Sequence, residues 1–312
     1  MPMYELSPSE QLAISSNFLN IVATPDGREK LAQVTESFIR TKLREVSFGW
    51  QILPPVQVDD TVLERSTEHD TLVKIEELEP DADAQVINFR GRPDTKYIRQ
   101  NRIAIPIWPI STPKYEKDET ELRASRSPLT KIVEENSLLE LQRIIDDSFM
   151  SSANTAVTDS GMTYDDTVET ALSTAFIKRV VKKLDNEERR AALLLLTKGL
   201  WDDVLAWGSE EAGTEWVSKK TQEGVKSGDQ LGFRVITSIK KSIIKRNELW
   251  IFTEPNFLGR SFILENPKFW INKDFRTIQM IAYMDIGMAL VNQLSLVRGK
   301  LTKIDAVTGY PI

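Results

Sequence analysis

Two spacings of apolar residues divide the chain into helical and extended stretches. Over 28–46 and 128–152, apolar side chains recur every three to four residues, which is typical of helices with one buried face. Ser127 and Pro128 suit the cap and the first position of the second helix. That helix would be about 36 Å long at ~1.5 Å per residue. We therefore predict a brace that spans the molecule.

Further elements follow the long helix. The spacing predicts a helix over 165–184, with Asp165 and Asp166 in its first turn and basic residues in its last, as the helix dipole favours. A continuous apolar run over 191–197 predicts a buried strand, and 199–207 a short helix. The remaining candidate strands are separated by Gly, Pro, Asn and Asp, and lie at 231–236, 249–253, 261–264, 277–284 and 287–291.

The stretch 59–115 is predicted to be a long hairpin with almost no core of its own. Apolar and polar residues alternate over 72–78, and return strands are expected over 85–89 and 97–107. Because an isolated hairpin is barely stable in water, this one must lie on other structure. It is either a mobile surface insertion or an arm that docks on a neighbouring subunit.

The two sides of this hairpin carry opposite charge. Ten acidic and two basic residues lie between 59 and 83, whereas five basic residues and one acidic residue lie between 85 and 102. Unlike patches steer assembly, so we interpret these side chains as contacts between subunits. The candidates on the hairpin are Glu76, Glu77, Arg90, Arg92, Arg99 and Arg102.

A basic cluster between residues 218 and 246 contains eight basic and two acidic residues. Phe233 is its one aromatic residue, which disfavours base stacking on single-stranded nucleic acid. The cluster is either a solvated loop or a patch for a partner. We favour pairing with the acidic stretch 59–83 of another subunit, and Lys240 and Lys241 are the candidate contacts.

Composition excludes several enzyme classes. The chain of 312 residues has no Cys and a single His, so disulfides, thiolate zinc sites and thiol nucleophiles are excluded. That residue, His69, lies between two acids in a polar stretch. Glycine-rich phosphate loops and paired metal-binding histidines do not occur. We predict no catalytic residue, no metal and no cofactor.

Adjacent carboxylates are the remaining candidates for chemistry, as in Asp146 and Asp147. Such pairs can serve a glycosidase or bind a divalent cation. However, neighbours on a helix point about 100° apart, so they do not face one target. A net charge of -6 argues against bulk nucleic-acid binding. Apolar runs of the ~18 residues that a membrane span requires do not occur.

The order of these elements resembles the major capsid protein of tailed bacteriophages, which has the Hong Kong 97-type fold that encapsulins share. Three stretches carry the resemblance: 138–149 (LLELQRIIDDSF) is similar to the spine helix, 232–238 (GFRVITS) to a recurrent strand, and 285–292 (DIGMALVN) to the closing strand.

The resemblance implies an α+β fold with an N-terminal arm, an extended loop, a spine helix, and peripheral and axial domains. It divides the chain into five parts. These are the N-terminal arm and helix at 1–50, the extended loop and start of the peripheral domain at 51–127, the spine helix and peripheral domain at 128–164, the axial domain at 165–285, and the return strand with the C-terminus at 286–312.

The function that the resemblance implies is structural. Pentamers and hexamers of the chain would close into an icosahedral shell around double-stranded DNA, in the virion. The helix at 28–46 leaves no room for a long scaffolding segment before it, which implies either a separate scaffolding protein or a processed chain, and the start at Met1 favours a separate protein. A portal and a decoration protein are the further partners that the resemblance suggests.

Three alternatives remain open. An encapsulin-type nanocompartment would have the same fold and enclose enzymes instead of DNA. A small carboxylate- or metal-dependent enzyme would be a compact small species with a cleft. A tail or adaptor protein would form rings or tubes.

Overall fold

The computed structural model describes residues 45–65, 71–80, 101–124, 129–208, 229–230, 232–307 and 309, with single positions between 92 and 100. Outside these residues lie almost all of the helix predicted at 28–46, the strand predicted at 85–89, and the helix start predicted at Ser127 and Pro128.

The described residues form a mixed α+β fold, as predicted. The helices are α1 (Gly49–Ile52), α2 (Glu119–Ala124), α3 (Leu129–Ser160), α4 (Thr174–Asn186), α5 (Lys198–Ala206) and α6 (Pro255–Leu258). The strands are β1 (Val56–Gln57), β2 (Glu64–Arg65), β3 (Leu72–Glu77), β4 (Arg102–Ser111), β5 (Tyr115–Asp118), β6 (Thr163–Asp166), β7 (Leu193–Thr197), β8 (Asp229–Gln230), β9 (Phe233–Ser238), β10 (Glu248–Phe252), β11 (Gly259–Asp274), β12 (Thr277–Leu290) and β13 (Leu296–Leu301).

Two sheets organise the strands of the described part of the chain. The seven-stranded sheet has the order β1-β11-β12-β4-β3-β2, with β5 also paired to β12. The six-stranded sheet has the order β6-β13-β10-β7-β9-β8. The pairs β1–β11, β6–β13 and β7–β9 are parallel, and the other pairs are antiparallel.

Helix α3 joins the two sheets. Near its middle, Leu141 and Ile145 pack on the seven-stranded sheet. Its second half packs on the six-stranded sheet through Phe149. With 32 residues the helix is about 48 Å long at ~1.5 Å per residue. The predicted brace is confirmed, and it extends to Ser160 instead of ending at residue 152.

The six-stranded sheet is covered on both faces, which explains its apolar central strands. Every residue of β7 and β10 is buried. Helices α4 and α5 cover one face through Phe176 and Leu200. Helices α1 and α3 cover the other face. A strand covered on both faces has a continuous apolar sequence, as the run at 191–197 has. The strand predicted there is confirmed as β7, and the helix predicted at 199–207 is confirmed as α5.

The helix predicted at 165–184 starts at Thr174, so its predicted first turn is wrong. Ser173 caps α4 with its side-chain oxygen. Asp165 and Asp166 lie instead in β6, which runs parallel to β13. Acidic side chains accept hydrogen bonds from backbone N–H groups in turns as well as at helix starts. Acidic residues in a sequence therefore do not distinguish a turn from the first turn of a helix.

Strands β11 and β12 form a hairpin longer than the separate strands predicted at 261–264, 277–284 and 287–291. They contain 16 and 14 residues. The strands predicted at 277–284 and 287–291 form one strand, β12, because residues 285 and 286 between them also pair with β11. Gly259 begins β11. A Cβ atom at this position would lie 2.1 Å from the Ala289 carbonyl oxygen, so the backbones of β11 and β12 approach too closely here for a side chain.

Sheet membership crosses the predicted division at residue 285. Strands β11 and β12 belong to the seven-stranded sheet with β4, although most of their residues lie in the range predicted as axial. Strand β13, which the sequence pattern did not predict, belongs to the six-stranded sheet, although it lies in the range predicted to return to the peripheral domain. The chain therefore moves between the sheets twice in its last third.

Candidate assembly surfaces

A buried carboxylate holds the place where the described chain begins. Asp146 on α3 is fully buried. Its Oδ1 accepts hydrogen bonds from Ser47 Oγ at 2.6 Å and from the Gly49 backbone N–H at 2.8 Å. Its Oδ2 lies 2.5 Å from Lys240 Nζ. We call these four residues the Asp146 node, which ties the segment before α1 to α3 and to the loop after β9.

Further contacts hold the same segment. The Glu45 carboxylate accepts hydrogen bonds from Ser238 Oγ at 2.9 Å and from the Ile239 backbone N–H at 3.0 Å. Lys240 Nζ also donates to the Val46 carbonyl oxygen at 3.3 Å. Phe48 is buried in the hydrophobic cluster that also contains Phe149. Residues 45–48, at which the described chain begins, are therefore fixed by hydrogen bonds, charge and packing.

Lys240 is predicted from sequence to contact another subunit, but its ammonium group has a partner within its own chain. Its side chain is 10% exposed and that of Asp146 is 0% exposed. The sequence did not reveal the pair, because Asp146 and Asp147 look alike in the sequence. On α3 the two point in different directions, so Asp147 is exposed and Asp146 is not. Lys241 is exposed, and its intersubunit role stays a prediction.

The β3–β4 hairpin brings its acidic and basic sides together. Glu77 lies opposite Arg102 in the strand register, with Oε1 and NH2 3.1 Å apart. Gln100 Nε2 donates to the other Glu77 oxygen at 2.8 Å. Both charged side chains are about half exposed or more, so the pair adds little stability. Opposite charges that the sequence predicts to pair between subunits therefore pair, at Glu77 and Arg102, within one hairpin.

The other predicted contact residues of the hairpin are Glu76, Arg90, Arg92 and Arg99. Glu76 is partly buried opposite Ile103 on β4, and Arg92 is exposed. Arg90 and Arg99 lie outside the described residues. Glu76, Glu77 and Arg102 lie on strands of the seven-stranded sheet, whereas Lys240 and Lys241 follow β9 of the six-stranded sheet. Their role between subunits stays a prediction.

The end of the β11–β12 hairpin presents an aromatic ring to solvent. Phe275 is 87% exposed and has a φ of 50°. Lys273 Nζ lies 3.2 Å from the Glu119 carboxylate, and the Glu119 backbone N–H donates to the Arg276 carbonyl oxygen at 2.8 Å. The start of α2 therefore holds this turn from one side. Sequence patterns did not single out Phe275, because neither exposure nor a positive φ is visible in them.

Two carboxylates face each other across the same hairpin. Glu265 and Asp285 are register partners where β11 has irregular pairing. Burial raises the pKa of Asp285, and the negative charge of Glu265 raises it further, whereas Lys268 lowers it. Lys268 Nζ lies 3.0 Å from Glu265 Oε1. The pair is a local charge conflict that one lysine partly relieves.

A cleft of 340 Å³ lies between α3 and the end of β12, and the side chains that line it, such as Ser151, Thr155, Leu290 and Gln293, are not ionisable. Within the described ranges, no group of three or more His, Cys, Asp or Glu residues could hold a metal ion. No helix there is long and apolar enough to cross a membrane.

Comparison with known proteins finds likeness in structure but not in sequence. No protein-family model and no curated protein matches the sequence. A chain from Microbacterium phage Oxtober96 superimposes with a TM-score of 0.61 at 10% identity, covering 88% of this chain and 98% of that one. A chain from the mature capsid of bacteriophage PhiM1 gives 0.59 at 7% identity, covering 88% and 92%. A chain from the capsid of cyanophage P-SCSP1u gives 0.56 at 8%, covering 86% and 92%.

The fold is the Hong Kong 97-type capsid fold. Within that fold α3 is the spine helix, in agreement with the resemblance of residues 138–149. Identities of 7% to 10% mean that the shared property is the fold and not individual side chains. The Asp146 node and the hairpin tip must therefore be interpreted from this chain's own contacts.

Proposed function

We propose that this chain is the major capsid protein of a tailed bacteriophage, which assembles through pentamers and hexamers into an icosahedral shell around double-stranded DNA. The observation that carries the proposal is the Hong Kong 97-type fold, which this chain shares over most of its length with chains of phage capsids. The virion is then its location, and the host cytoplasm its place of assembly.

The form of the subunit supports assembly through several different surfaces. A closed shell requires each copy to present unlike patches to its neighbours. The β3–β4 hairpin lies towards the β2 edge of the seven-stranded sheet, the β11–β12 hairpin ends in an exposed turn, and the described chain begins at the Asp146 node. These are separate places from which one copy can reach others.

The charge of the chain supports a shell that encloses DNA without gripping it. The net charge is -6, and basic side chains such as Lys240 and Arg102 already have carboxylate partners in their own chain. Strong binding to phosphates requires a surplus of basic groups that this chain lacks. A separate scaffolding protein, a portal and a decoration protein complete the proposed partners.

Expression of the chain alone, and with a scaffolding protein from the same source, tests the proposal. Sedimentation and negative-stain electron microscopy should show closed shells or clusters of five and six subunits. A uniformly small, compact species in both cases would overturn it. Shells that consistently enclose an enzyme in place of DNA in their natural host would indicate the encapsulin alternative.

Shortening the hairpin gives a sharper test of how the shell is joined. Leu78 N–H donates to the Asn101 carbonyl oxygen, so residues 79–100 can be replaced by Asn-Gly without removing β3 or β4. We expect this variant to fold and to lose shell assembly. A deletion of 61–114 is less suitable, because it would remove β4 from the middle of the seven-stranded sheet. Normal shells from the shortened variant would show that the hairpin is not an intersubunit arm.

A further inference from the structure

Phe275 combines two unfavourable properties at one position. Its ring is 87% exposed, and its backbone has a φ of 50°, in the left-handed region that favours glycine. Among the described residues, Glu188 is the other non-glycine residue with a positive φ, and its side chain is polar. A glycine at 275 would remove both the backbone strain and the exposed ring.

The strained turn is held rigidly. Asp274 and Thr277 are register partners, so Phe275 and Arg276 form a two-residue turn. Two-residue turns between antiparallel strands usually have glycine or asparagine where φ is positive. The turn is further held by α2, through the hydrogen bond from Glu119 to the Arg276 carbonyl oxygen at 2.8 Å. The ring therefore projects from a fixed support and does not belong to a loose loop.

The charges around the turn indicate what kind of surface the ring meets. Asp274 and Arg276 flank it with opposite charges, and Lys273 is paired with Glu119. Such a balanced surface has no attraction for nucleic acid or for an anionic membrane. It suits an apolar pocket with a mixed polar rim on another protein chain.

We propose that Phe275 is an aromatic anchor that inserts into an apolar pocket on a neighbouring copy of this chain. The inference rests on the proposed function, in which the neighbours of each subunit are further copies of itself. Aromatic side chains that enter such pockets dominate the stability of many protein interfaces. Strain and exposure in the dispersed subunit are then offset in the assembled state, where the ring is covered.

Two glycine variants separate assembly from stability. Phe275→Gly and Glu188→Gly both relieve a positive φ, so both should match or exceed the unsubstituted chain in the melting temperature of the dispersed subunit. Only Phe275→Gly should raise the chain concentration needed for half-maximal shell formation, by about tenfold or more. Equal assembly of the two variants would overturn the inference.

Photo-crosslinking identifies the chain that forms the pocket around residue 275. The aromatic photoreactive residue p-benzoylphenylalanine at position 275 should give crosslinked dimers of this chain in assembled shells, and the same residue at position 188 should not. Mass spectrometry of the crosslinked peptide should show a second copy of this chain. Assembled shells without dimers, or with crosslinks only to a different protein, would refute the anchor and leave the proposed function standing. If the unsubstituted chain forms no shells, the proposed function fails and the anchor with it.

Discussion

Lys240 and Asp146 form an ion pair between the loop after β9 and the middle of α3, with Nζ and Oδ2 2.5 Å apart. Asp146 also accepts the two hydrogen bonds from Ser47 and Gly49, which hold the start of α1 and the residues just before it. The pair therefore links three parts of the chain that are distant in sequence. In the proposed shell it would hold the base of the N-terminal arm in the same position in every subunit.

Replacing Lys240 by Met should destabilise the subunit by about 3 kcal/mol, because it leaves a buried carboxylate without a counter-charge. Urea unfolding of the dispersed chain measures the change. The exposed neighbour variant Lys241→Met should change stability little. In the double variant Asp146→Asn with Lys240→Met, most of the loss should be recovered. A single variant as stable as the unsubstituted chain would show that the pair is not important for folding.

Asp166 should make the stability of the subunit depend on acid pH. Hydrogen bonds from the backbone N–H groups of Glu169 and Val168 lower the pKa of Asp166 from its ordinary value of 3.8, and Arg179 lowers it further. A lowered pKa means that the stabilisation is present above 3.8 and is lost as pH falls through the folded-state pKa. Asp166→Asn should therefore lose about 1–2 kcal/mol at pH 7, and its stability should converge with that of the unsubstituted chain as pH falls through the folded-state pKa of Asp166. A difference that stays constant with pH would contradict this assignment.

Asp285 should show the opposite sign. Burial and the facing Glu265 raise its pKa, so the charged form is less favourable in the folded chain than in the unfolded one. Asp285→Asn should stabilise the subunit at pH 7 by a few tenths of a kcal/mol, within the range of about 0.2–1 kcal/mol for facing charges. The gain should disappear as pH falls to the ordinary value of 3.8. Asp147→Asn, at an exposed site on α3, is the control and should show no such gain.

Arg102 can be tested for a role between subunits by a charge exchange. Arg102→Glu alone breaks the pair with Glu77, whereas Glu77→Arg with Arg102→Glu restores a pair of opposite orientation within the hairpin. If Arg102 contacts a neighbouring subunit, both variants should assemble poorly at low salt. Recovery of shell yield in the double variant would limit Arg102 to its own hairpin.

The long helix shows what the sequence could and could not predict. Its apolar face over 128–152 is clear in the sequence because Leu141, Ile145 and Phe149 fall at helical spacing. Its last turns are rich in Ser and Thr and resemble a loop. There the hydroxyl groups of Ser152, Thr155 and others donate to carbonyl oxygens four residues earlier, so these polar residues remain in the helix.

Strand β13 and the extent of the β11–β12 hairpin depend on tertiary context. Residues 296–301 are a short mixture of apolar and basic residues, and they form a strand because β10 and β6 flank them. Asn266 and Pro267 look like a break in the sequence, but the irregular register of β11 accommodates them. The buried position of Asp146 and the exposure of Phe275 likewise result from packing, which periodicity does not show.

The most direct test of the account is a cryo-electron microscopy reconstruction of the large particles formed by the purified chain. The proposed capsid function predicts icosahedral shells in which this chain is arranged in clusters of five and six, with α3 and the two sheets as described in every copy. Rings or tubes without fivefold clusters, or particles in which another protein forms the shell, would contradict it.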